Sequence, residues 1–202
     1  MHSEIVMTMK VKSVFRLFVR LLGLTALFWC MPTTQCVTAQ SRQPTEYEVK
    51  AAFLYNFAKF AEWPADAFSG PEAHFVFGIL GHDPFGGIID AVEKRTINGR
   101  TVQVRRFSDV QDIRKCHILY ISSSETERLG TILRTLANAS TLTVSDISAF
   151  VDRGGAIGFV VPDNSVGFKI NTDAVSRAGI AIHSRLLKMA IIVHDDPKWT
   201  AK

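Results

Sequence analysis

Cysteine is nearly missing from the part of this chain that should fold. Of three in 202 residues, Cys30 and Cys36 stand within the first forty, leaving Cys116 without an intramolecular mate and excluding a disulfide framework. His74, His82, His117, His183 and His194 never fall at ligand spacing with one another or with a cysteine, so no metal site is expected. Charge of one sign is also lacking. The chain carries 23 Lys+Arg against 19 Asp+Glu, and setting aside Lys10, Lys12, Arg16, Arg20 and Glu4 near the start leaves 19 against 18. That balance argues against a nucleic-acid partner or a polybasic membrane patch. Enzyme signatures are missing too. The loop after the first predicted strand reads GHDPFGG rather than a dinucleotide fingerprint, and neither a phosphate loop nor a GxSxG elbow occurs. Serines stand where a receiver domain needs its phosphoacceptor aspartate. The residues therefore imply no cofactor and no catalytic group. There are no repeats and no low-complexity tract.

The first forty residues set the compartment. The four cations lead into an apolar run, Leu21 to Met31, and then to the small residues Val37-Thr38-Ala39. This is the layout of a secretory signal cleaved after Ala39. The run is shorter than the roughly 20 apolar residues of a membrane span, and no second run follows. Residues 1–39 thus read as a signal, 40–45 as a flexible lead, 46–194 as a single domain and 195–202 as a polar tail.

Within the domain, Glu46 to Trp63 places Tyr47, Val49, Phe53, Leu54, Phe57, Phe60 and Ala61 on one helical face, and Pro64 ends the helix. Lys50 falls near the middle of that apolar face. Either its stem snorkels past the aromatics, or an ion pair or an anionic ligand lies beneath it. Short apolar runs then alternate with stretches of helical spacing: strands at 74–80, 101–107, 116–121 and 141–144, and helices at 84–95, 125–138 and from Ser145 to Val151. After Gly154-Gly155, the runs 156–161 and 166–170 flank Pro162-Asp163-Asn164-Ser165 and read as an antiparallel hairpin. A helix closed by Gly179 follows, then an extended 180–182. A last helix is capped by Ser184, with Leu186, Leu187, Ala190 and Ile191 inward. The order predicts an α/β three-layer sandwich: a mostly parallel, doubly wound sheet with an antiparallel C-terminal edge hairpin. The expected core is Phe75, Phe77, Ile79, Val102, Val104, Ile118, Tyr120, Leu142, Val144, Ile157 and Phe159. Cys116 is either a buried small hydrophobe or a site of intermolecular pairing.

Open α/β sheets bind ligands beyond the carboxyl ends of their strands. Three segments should meet there: Gly81 to Gly86, with Asp83 and Phe85; Ser122 to Ser124; and Ser145-Asp146. Hydroxyls, helix amides and glycine-eased turns together can hold a small anion, and the same residues also serve as helix caps. Lys50, Asp83, Phe85, Ser122, Ser145, Asp146 and His183 are accordingly the candidate ligand-binding residues. His183, ahead of the last helix, is either a solvated cap or a sensor of acidification.

The segment from Glu46 to Phe60, ending in Glu62-Trp63-Pro64, resembles the opening helix of the YfiR family of bacterial periplasmic proteins. So do ILGHDPFG (79–86), NGRTVQVRR (98–106), CHILYIS (116–122), LTVSD (142–146), GGAIGFV (154–160), FKIN (168–171) and SRLLKMA (184–190). The resemblance runs nearly end to end, in order. It implies a non-catalytic periplasmic regulator that docks on the sensor domain of an inner-membrane diguanylate cyclase and represses cyclic di-GMP synthesis. It also implies relief by an OmpA-like outer-membrane lipoprotein, and a homodimer. Family members often carry disulfide-forming cysteine pairs, and Cys116 departs from that pattern. A small-ligand receptor without a cyclase partner is the alternative function.

Overall fold

The computed structural model describes residues 43–195 apart from Arg114. The signal at 1–39, the first part of the lead and the tail beyond Asp195 lie outside the described residues. The chain forms β1 (Ala61–Glu62), β2 (Phe75–Leu80), β3 (Thr96–Ile97), β4 (Arg100–Phe107), β5 (Ile118–Ile121), β6 (Leu142–Ser145), β7 (Ile157–Val160), β8 (Gly167–Asn171), β9 (Ala181–Ile182) and β10 (Ile191–Val193). The helices are α1 (Glu46–Lys59), α2 (Gly87–Asp90), α3 (Leu129–Thr135), α4 (Thr172–Arg177) and α5 (Ser184–Leu187).

Eight strands build one sheet in the order β10-β8-β7-β6-β5-β2-β4-β3, and β1 pairs with β9 in a separate antiparallel ribbon. Strands β4, β2, β5, β6 and β7 are parallel neighbours. The β7–β8 and β3–β4 pairs are antiparallel. The predicted α/β sandwich with antiparallel strands toward its edge is therefore the fold. Winding reverses between β4 and β5, so the switch point lies where β2 and β5 end, beside Gly81 and Ser122.

Side-chain alternation divides the core in two. Ile79, Tyr120, Val144, Ile157 and Ile170 stand in register across five strands. They face α1, from which Ala51, Leu54, Phe57 and Ala58 are buried. Phe57 packs on Phe168 and Phe159 from the hairpin, with ring centroids 4.9 and 5.8 Å away. All eleven residues expected in the core are buried on this face. The other face holds Val76, Leu80, Leu119 and Ile121 against Leu129, Ile132 and Leu136 on and just beyond α3. Cys116 is buried there at 3 % exposure, and burial pushes its thiol up to about 12. Its Sγ donates to the Ile118 carbonyl.

His117 is buried and stacked against Phe68 and Phe75, with centroids 4.4 and 4.9 Å away. Its Nδ1 accepts from the Val76 amide at 3.0 Å, which sets the tautomer, while Nε2, near the Ala67 backbone, meets no partner in hydrogen-bonding geometry among the described residues. Burial lowers its pKa to about 4.

Several local elements differ from their sequence reading. The first helix stops at Lys59, because Ala61–Glu62 leaves it to pair with Ala181–Ile182. The helix expected at 84–95 contracts to α2, because the Asp83 side chain turns the chain by accepting from the Phe85 and Gly86 amides. The long helix at 125–138 begins instead as a 3₁₀ turn, Ser123–Glu125, ahead of α3. The final helix is the clearest departure. It ends at Leu187, and Ile191, expected inward, is 56 % exposed on β10, which runs parallel to β8 and forms the outermost strand beyond the hairpin.

Candidate functional site

α1 opens at Thr45 with a reciprocal cap. The Thr45 hydroxyl accepts from the Glu48 amide, and the Glu48 carboxylate accepts from the Thr45 amide. This fixes the first turn, from which Tyr47 and Lys50 point down onto the exit of β6. Asp146 waits there. Its Oδ2 accepts from Lys50 Nζ at 2.6 Å and from the Tyr47 hydroxyl at 3.2 Å. Glu46, one turn back on the surface, takes the same ammonium at 2.5 Å. The Lys50 ammonium lies 4.6 Å from the Tyr47 ring centroid and 5.7 Å from that of Phe159. Lys50 itself is only 2 % exposed.

Aromatic rings close the cluster. Phe85 meets Tyr47 edge-on at 5.4 Å and Tyr120 at 4.8 Å. The Tyr120 hydroxyl and Asp146 Oδ1 are buried and meet no partner in hydrogen-bonding geometry among the described residues, although the two side chains interact electrostatically.

The electrostatics settle what this cluster can do. Burial alone would lower the Lys50 pKa, but hydrogen bonds to Asp146 and Glu46 outweigh it and hold the ammonium above the ordinary lysine range. Burial likewise pushes Asp146 up, and the Lys50 and tyrosine contacts together bring it below the usual carboxylate range. Burial, with the Asp146 charge, raises both Tyr47 and Tyr120. Lys50, Asp146, Tyr47 and Tyr120 are thus held away from titration near neutrality. General acid–base chemistry needs a group poised near the working pH, and this set is instead a buried ion pair that fastens a helix to the sheet.

The remaining candidates are placed as follows. Ser145 is buried at the end of β6, donating to the Ile121 carbonyl at 2.6 Å and accepting from the Ile147 amide at 3.0 Å. Ser122 caps the Ser124 amide. Asp83 uses one oxygen on the Phe85 and Gly86 amides and the other on Arg106 Nε at 2.7 Å, while Arg106 also holds Asp90. At the switch point the two loops touch: the His82 amide donates to Ser124 Oγ at 3.0 Å. Gly81, at φ +87°, has no room for a Cβ against Ser124 and Glu125. So Lys50, Phe85 and Asp146 converge, with Ser122, Ser145 and Asp83 securing the strand ends and loop around them.

His183 is not part of this group. It caps α5 by accepting the Arg185 amide on Nδ1, and its own amide donates to the Phe60 carbonyl, at the far end of a 14-residue helix. Phe60 lies about 15 Å along the helix axis from Lys50 and about 20 Å from Tyr47. Tyr47 and Tyr120 belong to the cluster but read in the sequence only as an apolar helix position and a strand core position. The signal that could have found them was Lys50 itself, since a cation on an apolar face needs an acid and polar neighbours beneath it.

Among the described residues no helix is long and apolar enough to cross a membrane. Similarity in shape extends to a conserved domain protein from Vibrio cholerae O1 biovar El Tor, at 11% sequence identity and a TM-score of 0.49. The match covers 75% of this chain and 60% of that one. The model of YfiR/HmsC-like proteins matches residues 47–191, from Tyr47 on α1 through the first residue of β10 and including the whole Lys50–Asp146 cluster. The chain belongs to the YfiR/HmsC-like family.

Proposed function

We propose that the protein is exported, loses residues 1–39, and acts without catalysis by docking on the periplasmic domain of an inner-membrane diguanylate cyclase, restraining cyclic di-GMP synthesis. Release follows when an OmpA-like outer-membrane lipoprotein captures it. The observation that carries this reading is the family match across residues 47–191. The signal-like first forty residues supply the compartment, and the Lys50–Asp146 pair, with both groups held away from neutrality, gives no foothold for acid–base turnover. A homodimer fits the same picture. The outermost strand β10 exposes Ile191 and Ile192, with Met189 just ahead at 67 % exposure, and such an apolar edge suits pairing with a second copy.

Crosslinking in live cells tests the docking step. The expected product is an adduct with a membrane protein that carries a diguanylate cyclase domain. Adducts confined to soluble periplasmic proteins, or recovery of the protein with residues 1–39 intact in the cytosol, would refute the reading.

A further inference from the structure

A second site lies at the opposite end of the sheet from Asp146. Where β6 and β7 begin, the fold leaves a cavity of about 560 Å³, a size typical of small-molecule sites. Leu133, Leu136 and Ala156 give it an apolar floor, and three arginines from three separate elements stand round it: Arg134 on α3, Arg153 on the turn before β7 and Arg177 on α4. A Cβ on Gly154 would lie 3.9 Å from Arg177 Nη2, so the turn bearing Arg153 adjoins the Arg177 guanidinium.

The charges around this cavity do not balance. Arg177 is paired with the Asp195 carboxylate, which Asn171 Nδ2 also holds at 2.8 Å. Arg134 donates only to the neutral Thr131 hydroxyl at 3.1 Å. No described side chain pairs with the Arg153 guanidinium. Among the described residues that line the cavity, three cations thus stand with one acid, Asp195, beside an apolar floor. Like charges brought together repel, and a bound anion relieves that repulsion while offering guanidinium groups their favoured two-point contact. Asp195 on Arg177 already shows a carboxylate seated at this rim.

We propose that this cavity binds a small organic anion, a carboxylate or phosphate head on an apolar body, with the head on Arg153 and Arg134 and the body on the Leu133–Leu136 floor. The site is independent of any cyclase, so its test needs only the purified protein. Isothermal titration calorimetry with 2-naphthoate, 2-naphthyl phosphate and the neutral 2-naphthalenemethanol probes it directly. At least one anion should bind, the two anions together reporting which head is preferred, and the neutral compound should bind about tenfold more weakly or worse. Arg153→Gln should weaken the anion about tenfold, whereas Arg95→Gln, away from the cavity, should leave it unchanged. Should Arg153→Gln fail to fold, Ala137→Trp decides, since it fills the exposed rim while keeping every arginine and should abolish binding. No binding of either anion at millimolar concentration, or anion binding indifferent to both Arg153→Gln and Ala137→Trp, would overturn the proposal.

Discussion

Replacing Lys50 by Met takes a buried cation away from a buried carboxylate, and the cost follows from the geometry. Lys50 is 2 % exposed and Asp146 15 %, with 2.6 Å between Nζ and Oδ2. At an effective dielectric near 20 the pair's attraction is about 6 kcal/mol before desolvation is subtracted. Most of that gain is offset by desolvation while the pair is whole, but removing one partner leaves the other uncompensated, at about 3–5 kcal/mol. Only the neutral hydroxyls of Tyr47 and Tyr120 would then face Asp146. For a domain of this size the change lowers Tm by roughly 10 °C. Asp146→Asn should cost a comparable amount. The double variant Lys50→Met with Asp146→Asn should lose about 2 kcal/mol less than the sum of the singles, because it strands no charge. Glu46→Gln, at a partner 48 % exposed, should change stability by less than about 0.5 kcal/mol. Urea denaturation of the four variants is the assay. A Lys50→Met protein within 1 kcal/mol of the parent, taken as about a third of the expected loss, or strictly additive singles, would refute the reasoning.

Other perturbations should behave as follows. His117 is neutral in the fold, with a pKa lowered from 6.5 to about 4, so below pH 6.5 the unfolded chain binds the extra proton. Stability should therefore fall by roughly 3 kcal/mol as pH drops from 6.5 to 4, and His117→Gln should remove that acid slope in denaturation curves. Asp146 has the opposite timing: its depressed pKa keeps its contribution intact at mildly acidic pH, with loss only below the ordinary carboxylate range, so Asp146→Asn should leave the slope between pH 6.5 and 5 unaltered. Cys116, buried with its thiol at about 12, should resist thiol reagents in the native state and react at the rate of unfolding; rapid labelling would contradict its placement. Gly78→Ala should destabilise by about 1–3 kcal/mol in thermal melts, since its Cβ would meet Cys116 Sγ at 2.6 Å and Leu119 Cδ1 at 2.7 Å.

The central sheet was legible because its signals are local. Val102 and Val104 alternate with Thr101, Gln103 and Arg105 on β4, which names that strand and its inward face together, while the unbroken apolar run from Phe75 to Leu80 names β2 as a strand only. Val76, Leu80 and Leu119 escaped the expected core because a strand buried on both faces gives no alternation to say which neighbours cover the second side. At the C-terminus, Leu186 and Leu187 fit a helix period that Ile191 happens to continue. What ends the helix is the pairing of Ile191 with Lys169 on β8, a partner 22 positions away in the chain. Lys50 advertises itself as a cation where apolar residues are due, whereas Asp146 reads in the sequence only as part of the strand-end loop after β6, and the fold alone makes it the partner of Lys50. The arginine-lined cavity left no such trace. Arg134, Arg153 and Arg177 each look like an ordinary surface cation, and only the packing of α3, the turn before β7 and α4 gathers them.

The central claim is that this protein restrains cyclic di-GMP from outside the cytoplasm. Cellular cyclic di-GMP should be measured in the native host, in a strain lacking the gene, and in that strain supplied with either the full chain or a chain lacking residues 2–39. The nucleotide should rise on deletion and return to its starting level only with the full chain. An unchanged level on deletion, or equal rescue by the form without its first residues, would contradict the account.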